Sequence, residues 1–479
     1  MGEAMITRRG GGGGKLNAIV EQYQVAAGGS VSANGFVKFV DGMKTHSLNG
    51  IYPVVMAIAL TTSKVLVVYG EKESVAYYGS VLELTGAGAS IGTRTQIGTR
   101  TSKYVAPAIE LTKINETRAL LLYNKTSQHL SSSSSTIPQY VIIGVDDDTI
   151  TALATSSWVT STSSSRIFDL SSYRAAWMQI ADQNELYQIN MDYTTGDVRV
   201  YIHRYLVSDT SVTWQAGGSY DATDDDTGLI TNMGIMACVK LSNGNYLAVH
   251  KNSKSGDSYS RGLSAHVCIS RQSNGNPKVS PLTKIIAPNR NNEWYLGDAV
   301  LLANGNVLLV FSQPSFYSQT AGYMYGMIIN VNGTNITTGT LTKLNAVSRD
   351  ASGSSTEFGG EVAYALRGRF GGLIADGNNV QLIYHPNAMA ATYTIDISVN
   401  DMVITTGEEK EYIAADDTHG THCDAIWPNG EALVYTIIDG ETKGAQIVKQ
   451  VESTWSGTVD GVAVDDASAG KIVDVYRPA

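Results

Sequence analysis

Cysteine is almost absent from this chain. Its three thiols, Cys238, Cys268 and Cys423, form no CxxC pair and no paired framework, which excludes a disulfide-stapled scaffold. Cys238 ("IMACVKL") and Cys268 ("AHVCIS") sit in apolar, strand-like runs and are expected to be buried free thiols. Charge is scarce too, at 16% of residues, with a net charge of −10. Basic residues gather only at Arg8, Arg9 and Lys15, so nucleic-acid binding is not expected. Long apolar runs are missing, and "PVVMAIAL" is far too short to span a bilayer. The start, "MGEAMITRRGGGGGK", has no apolar core of a signal peptide, and Ile6 stands where a myristoylation motif needs Ser or Thr. Synthesis in a cytoplasm without membrane insertion is expected.

What is present points to strands and turns. Glycine numbers 48, and tyrosine 26 against 7 phenylalanines. Few charges and many small polar residues disfavour long solvated helices. Tyrosine in excess suits strands, and also binding surfaces that keep a polar edge in water.

"DAVLLANGNVLLVF", Asp298 to Phe311, is two apolar runs around Asn-Gly, read as a β-hairpin with a type I′ turn. The pattern recurs at Asn243-Gly244, Asp376-Gly377 and Asn429-Gly430, and without the glycine around Thr62, Asn115 and Asn184. A polar loop and a second strand pair follow. "YMYGMIINV" leads through Asn332-Gly333 into "TNITTGTLTKL", and "TYTIDISV" leads through Asn400-Asp401 into "MVITTG". Each unit is therefore four antiparallel strands, which must stack on neighbours to bury both faces. The expectation is an all-β chain with a seven-bladed β-propeller over residues 51–454.

Residues 1–19 read as a flexible Gly-rich arm. Residues 20–50 and 455–479 alternate apolar and small residues as half-buried strands do, and neither piece is long enough to fold alone. They are expected to form one small β-barrel or sandwich module into which the propeller is inserted. Val25, Val31, Phe36, Val37 and Phe39 would pack with Val462, Val464, Ile472, Val473 and Val475. Asp465, Asp466 and Lys471 would lie in turns or face water. "YQVAAGGSVSANGFVKF" with "GVAVDDASAGKIVDVYRP" resembles a small β-module of bacteriophage virion proteins, with Asn34 replacing the usual small residue before Gly35. The resemblance implies a virion structural protein: a tail, baseplate or head appendage. It would dock to other virion proteins through the terminal module, form a homo-oligomer and meet host glycans or proteins with the propeller.

Candidate chemistry is sparse. In "DDTHGTHCDAIW", Asp416 to Trp427, the residues His419, His422, Cys423 and Asp424 could supply metal ligands, against a structural role beside a propeller channel. "GASIG", Gly88 to Gly92, matches a nucleophile elbow, yet no helical pattern follows it. "SDTSVTW", Ser208 to Trp214, is the one near match to the S-x-D-x-G-x-x-W turns of sialidases. Arg367 and Arg369 are candidates for their carboxylate clamp. The acidic loops Tyr220 to Gly228 and Gly144 to Thr149 could hold Ca²⁺ or simply face water. The Ser/Thr runs "HLSSSSSTIP" and "TSSWVTSTSSSR", with the Tyr-rich Ser315 to Gly326 stretch, read as loops that could carry contacts. The resulting expectation is a non-enzymatic virion protein with no catalytic residue, metal or cofactor. The alternatives are a sialidase-like glycan hydrolase and a ligand-free capsid decoration or collar protein.

Overall fold

The structure is a computed structural model. It describes residues 19–24, 30–31, 36–37, 42–49, 54–61, 63–70, 76–85, 88–99, 110–123, 139–158, 176–182, 184–194, 197–221, 229–230, 235–254, 257–289, 294–313, 323–346, 372–384, 392–413, 419–426, 432–438, 444–451, 461–463, 467–468 and 472–477. Among them the regular structure is strand alone, with no helix. The all-β expectation is met. The chain divides into two compact units, residues 1–46 with 450–479, and residues 47–449.

In the first unit the two ends of the chain pair with each other. Ile19–Gln24 runs antiparallel to Ile472–Arg477, with Tyr23 opposite Val473 and Gln24 opposite Ile472. Phe36 lies opposite Val462, and Val31 opposite Ala467. Val462 in turn faces Tyr476. Val25, Phe39, Val464, Asp465, Asp466 and Lys471 lie outside the described residues.

The second unit contains six antiparallel sheets among the described residues, each built from strands consecutive in the chain. They span 54–99, 110–157, 176–221, 229–289, 295–343 and 372–413. His419–Ile426, Ala432–Ile438 and Gly444–Val451 add three more antiparallel strands.

In several sheets the second strand is apolar on both faces, and the packing shows why. In "RALLLY", Ala119, Leu121 and Tyr123 pack with Leu66, Val68 and Tyr77 of the preceding sheet. Leu120 and Leu122 pack with Leu186, Tyr205 and Val207 of the next. The same division recurs in "VLLVF": Val307, Leu309 and Phe311 meet the 229–289 sheet, while Leu308 and Val310 meet the 372–413 sheet. Strand side chains alternate between faces, so a strand between two neighbours turns both of its faces into the interior. Burying each such side chain contributes about 1.5–3 kcal/mol.

The hairpin that begins with "DAVL" forms as expected, but with a different turn. Gly305 has φ +83°, and Asn304 is not among the positive-φ residues. The Gly305 amide donates to the Leu302 carbonyl at 3.0 Å, and the Leu302 amide to the Asn306 carbonyl at 2.8 Å. This is a type I turn closed by a left-handed glycine rather than type I′. Asn243-Gly244 follows the same plan, with the Gly244 amide on the Leu241 carbonyl at 3.0 Å. Asn429-Gly430 and Thr62 lie outside the described residues.

Candidate functional site

The sheets of the second unit are asymmetric end to end. First and second strands are joined by tight connections such as 116–117, 183–184, 302–306 and 377–378. Third and fourth strands are joined by 86–87, 147–148, 208–211, 333–334 and 401–402. All of these fall at one end of their sheets. The opposite end carries the longest connections, 124–138, 314–322 and 385–391 within sheets and 100–109, 158–175 and 344–371 between them, although 195–196 and 255–256 there have two residues each and 270–277 at the first end has eight. Long connections held by a rigid scaffold are where binding and catalytic groups concentrate. We therefore place the candidate site at this end.

Polar side chains enter the otherwise apolar interior of the sheets, with Gln188 and His203 lying nearer the tight-turn ends of their strands. Gln188, Asn190 and His203 are 0%, 0% and 1% exposed. Gln188 sits opposite His203 and Asn190 opposite Tyr201 across the second and third strands of the 176–221 sheet. The Gln188 Oε1 accepts from Trp158 Nε1 at 3.2 Å and from Tyr205 Oη at 3.0 Å. The His203 ring stacks on Tyr201, with centroids 5.6 Å apart. Among the described residues, Asn190 Oδ1 and Nδ2 and His203 Nδ1 have no hydrogen-bond partner.

The next sheet carries a second imidazole group. His250 and His266 stack with centroids 5.1 Å apart, and Tyr220 lies against His266 at 5.4 Å. The Ser280 carbonyl, 2.9 Å from His266 Nδ1, can only accept, so Nδ1 carries the proton. Burial pushes the pKa of both His203 and His266 down to about 4. Both rings are neutral at pH 7, able to accept hydrogen bonds but not to act as acids. Burial also pushes the Cys268 thiol up to about 12, and Cys238 and Cys268 are buried free thiols, as expected. In the 372–413 sheet, the buried Tyr384 hydroxyl donates to the Glu409 carboxylate and accepts from Asn345 Nδ2 at 3.4 Å.

The structure gives several sequence candidates other work. Gly88–Ile91 is an extended outer strand paired with Leu82–Thr85, so Ser90 stands on no elbow. Gly92 is needed for another reason: a Cβ there would come within 2.0 Å of the Asp148 carbonyl oxygen. In the acidic loop 144–149, Asp147 receives the Lys64 ammonium at 2.8 Å. That hydrogen bond holds the Asp147 carboxyl below the usual range. In "SDTSVTW", Asp209 is paired with Arg118 of the neighbouring sheet, and Ser208 Oγ caps the turn by accepting from the Ser211 amide at 3.0 Å. His419, His422, Cys423 and Asp424 lie in the strand His419–Ile426, with His422 opposite Tyr435. Among the described residues no group of His, Cys, Asp and Glu is arranged to hold a metal ion. Arg367, Arg369, residues 222–228 and residues 315–322 lie outside the described residues.

Sequence reading passed over the buried polar cluster. The signal was a polar residue at an inward position of an apolar run, as in "VYIHRYL", "YLAVHKN" and "SAHVCIS".

No family model and no curated protein matches the chain. Solved structures similar to it include the polysaccharide lyase Uly1, at 9% identity and a TM-score of 0.45, over 89% of this chain and 91% of that one. Another is the intramolecular trans-sialidase from Ruminococcus gnavus, at 10% identity and a TM-score of 0.40, over 85% and 96%. A third is the NanB sialidase from Streptococcus pneumoniae, at 12% identity and a TM-score of 0.36, over 90% and 70%. These findings correct two expectations, the phage structural role and the absence of enzymatic activity. By name these similar structures are a polysaccharide lyase, a trans-sialidase and a sialidase.

Proposed function

We propose that this chain is a glycan-processing enzyme, a sialidase-like glycan hydrolase on a seven-bladed β-propeller. The six sheets and the 419–451 strands supply the seven units. Residues 20–50 with 455–479 form a small β module that attaches the propeller to a partner or a second copy. The observation that carries the reading is the end-to-end asymmetry of the sheets. Short turns close most of the sheets at one end, while the other carries the longest connections, as a site for a large polar ligand requires. The tyrosine excess supports it, since aromatic rings with a polar edge suit sugar faces.

The test is turnover. The full chain is incubated with fluorogenic sialosides and with acidic polysaccharides. Fluorophore release reads hydrolysis, and new ultraviolet absorbance from an unsaturated sugar reads lyase chemistry. Sialoside hydrolysis is the expected result. Unsaturated product without hydrolysis would move the chain to the lyases, and no turnover of any glycan would overturn the proposal.

A further inference from the structure

The chain's Asn-Gly pairs differ in a way that bears on covalent chemistry. An asparagine before glycine is open to attack by the glycine amide nitrogen on the side-chain Cγ, because no Cβ crowds the nucleophile. Three pairs lie in one repeated tetrapeptide: "SNGN" at 242–245, "SNGN" at 273–276 and "ANGN" at 303–306. In each, the glycine amide is tied to a backbone carbonyl: Gly244 to Leu241 at 3.0 Å, Gly275 to Gln272 at 2.9 Å and Gly305 to Leu302 at 3.0 Å. The asparagine amide is tied as well. Asn243, Asn274 and Asn304 each accept, through Oδ1, the amide of the residue two positions on, at 3.0 Å in all three. Nucleophile and electrophile are both held.

Asn332-Gly333 is built otherwise. It sits in the tight turn between Tyr323–Asn332 and Asn335–Thr338, with Asn332 opposite Asn335. Both residues are exposed. Gly333 has φ +64°, with nothing within 4 Å of where a Cβ would stand. Among the described residues, neither the Gly333 nitrogen nor the Asn332 side chain is engaged in a hydrogen bond.

We propose that Asn332 is a site of spontaneous deamidation. The Gly333 nitrogen loses its proton and bonds to Asn332 Cγ, and ammonia leaves with that proton. Water then opens the five-membered imide at either carbonyl. The products are aspartate, or isoaspartate with the backbone routed through the side chain. The sum is asparagine plus water to acid plus ammonia, with no change of oxidation state. Either product adds a negative charge at the tight-turn end of the 295–343 sheet. The isoaspartyl form also lengthens a hairpin that has room for only two turn residues.

The experiment follows these four of the chain's seven Asn-Gly sites at once. The intact protein is held at mildly alkaline pH in heavy-oxygen water, digested, and its peptides read by mass spectrometry. Label should enter at Asn332 about tenfold faster than at Asn243, Asn274 or Asn304, about one order of magnitude in rate. In denaturant the four rates should converge, and Gly333→Ala should slow the first in the folded protein. Equal rates at all four sites in the folded protein, or an unconverted Asn332, would overturn the assignment.

Discussion

The Nδ1–H of His266 donates to the carbonyl of Ser280 at 2.9 Å, while its buried Nε2 has no partner among the described residues. The ring is thus built into the interior as a neutral group, and its pKa of about 4 follows from burial. Protonation must be paid for by unfolding or by local opening. The unfolded chain takes up the proton near pH 6.5, the folded chain only near 4. Stability is therefore full above pH 6.5 and falls as pH drops toward 4. His203 acts in the same window. Each ring should cost about 3 kcal/mol by the lower limit. Melting temperature against pH is the check, and His203→Gln should flatten the acid slope. A melting temperature that does not fall between pH 6.5 and 4 would refute the neutral, buried assignment.

Two glycines should fail for different reasons. At Gly305 a new Cβ meets nothing within 4 Å, but φ is +83°. Gly305→Val should cost more than about 1 kcal/mol through backbone strain alone. At Gly92 the obstacle is the Asp148 carbonyl oxygen, 2.0 Å from the added carbon. Gly92→Ala should cost about 1–3 kcal/mol by overpacking, and should loosen the contact between the 54–99 and 110–157 sheets. Denaturant midpoints of the two variants give both numbers.

Asn190 and Gln188 should respond oppositely to apolar replacement. Asn190 is buried with both amide atoms unpartnered among the described residues, so Asn190→Leu removes a desolvation penalty and should be neutral or stabilising by up to about 1 kcal/mol. Gln188→Leu strands the Trp158 and Tyr205 donors and should cost about 2 kcal/mol or more. Chemical denaturation of the pair distinguishes a tolerated vacancy from a required acceptor.

Removing residues 455–479 should expose the start of the chain to protease. Ile472–Arg477 supplies the strand that pairs with Ile19–Gln24, and Gly461–Ala463 the strand that pairs with Phe36–Val37. Limited proteolysis should then cut within residues 19–37 while the 54–413 sheets persist. Unchanged resistance there would mean the pairing contributes nothing to order.

Much of the scaffold was legible because its signals are local. Asn-Gly between apolar runs marked the hairpins at 243, 304 and 332, and doubly apolar strands such as "RALLLY" marked sheets covered on both faces. The turn type was not legible. It depends on which residues close the loop, and Leu302 with Asn306 leaves three residues where two were expected. The buried imidazoles escaped for a different reason. His203, His250 and His266 sit in strands whose apolar neighbours dominate the pattern, and only the three-dimensional structure brings His203 onto Tyr201 and His250 onto His266. The acidic turn at 144–149 gave no hint that its cation would be Lys64, which lies far away in the sequence.

The alternation in the central strands gives every position an address. At Leu120 a change is felt by the following sheet, and at Leu121 by the preceding one. A single-residue insertion in such a strand would swap these addresses along its whole length. The tight turns allow no slack to absorb the shift, whereas the long connections at the other end do. The molecule can therefore vary freely in the length of its loops on one side and hardly at all in the length of its strands. Diversification of whatever it recognises has a route that leaves the frame untouched.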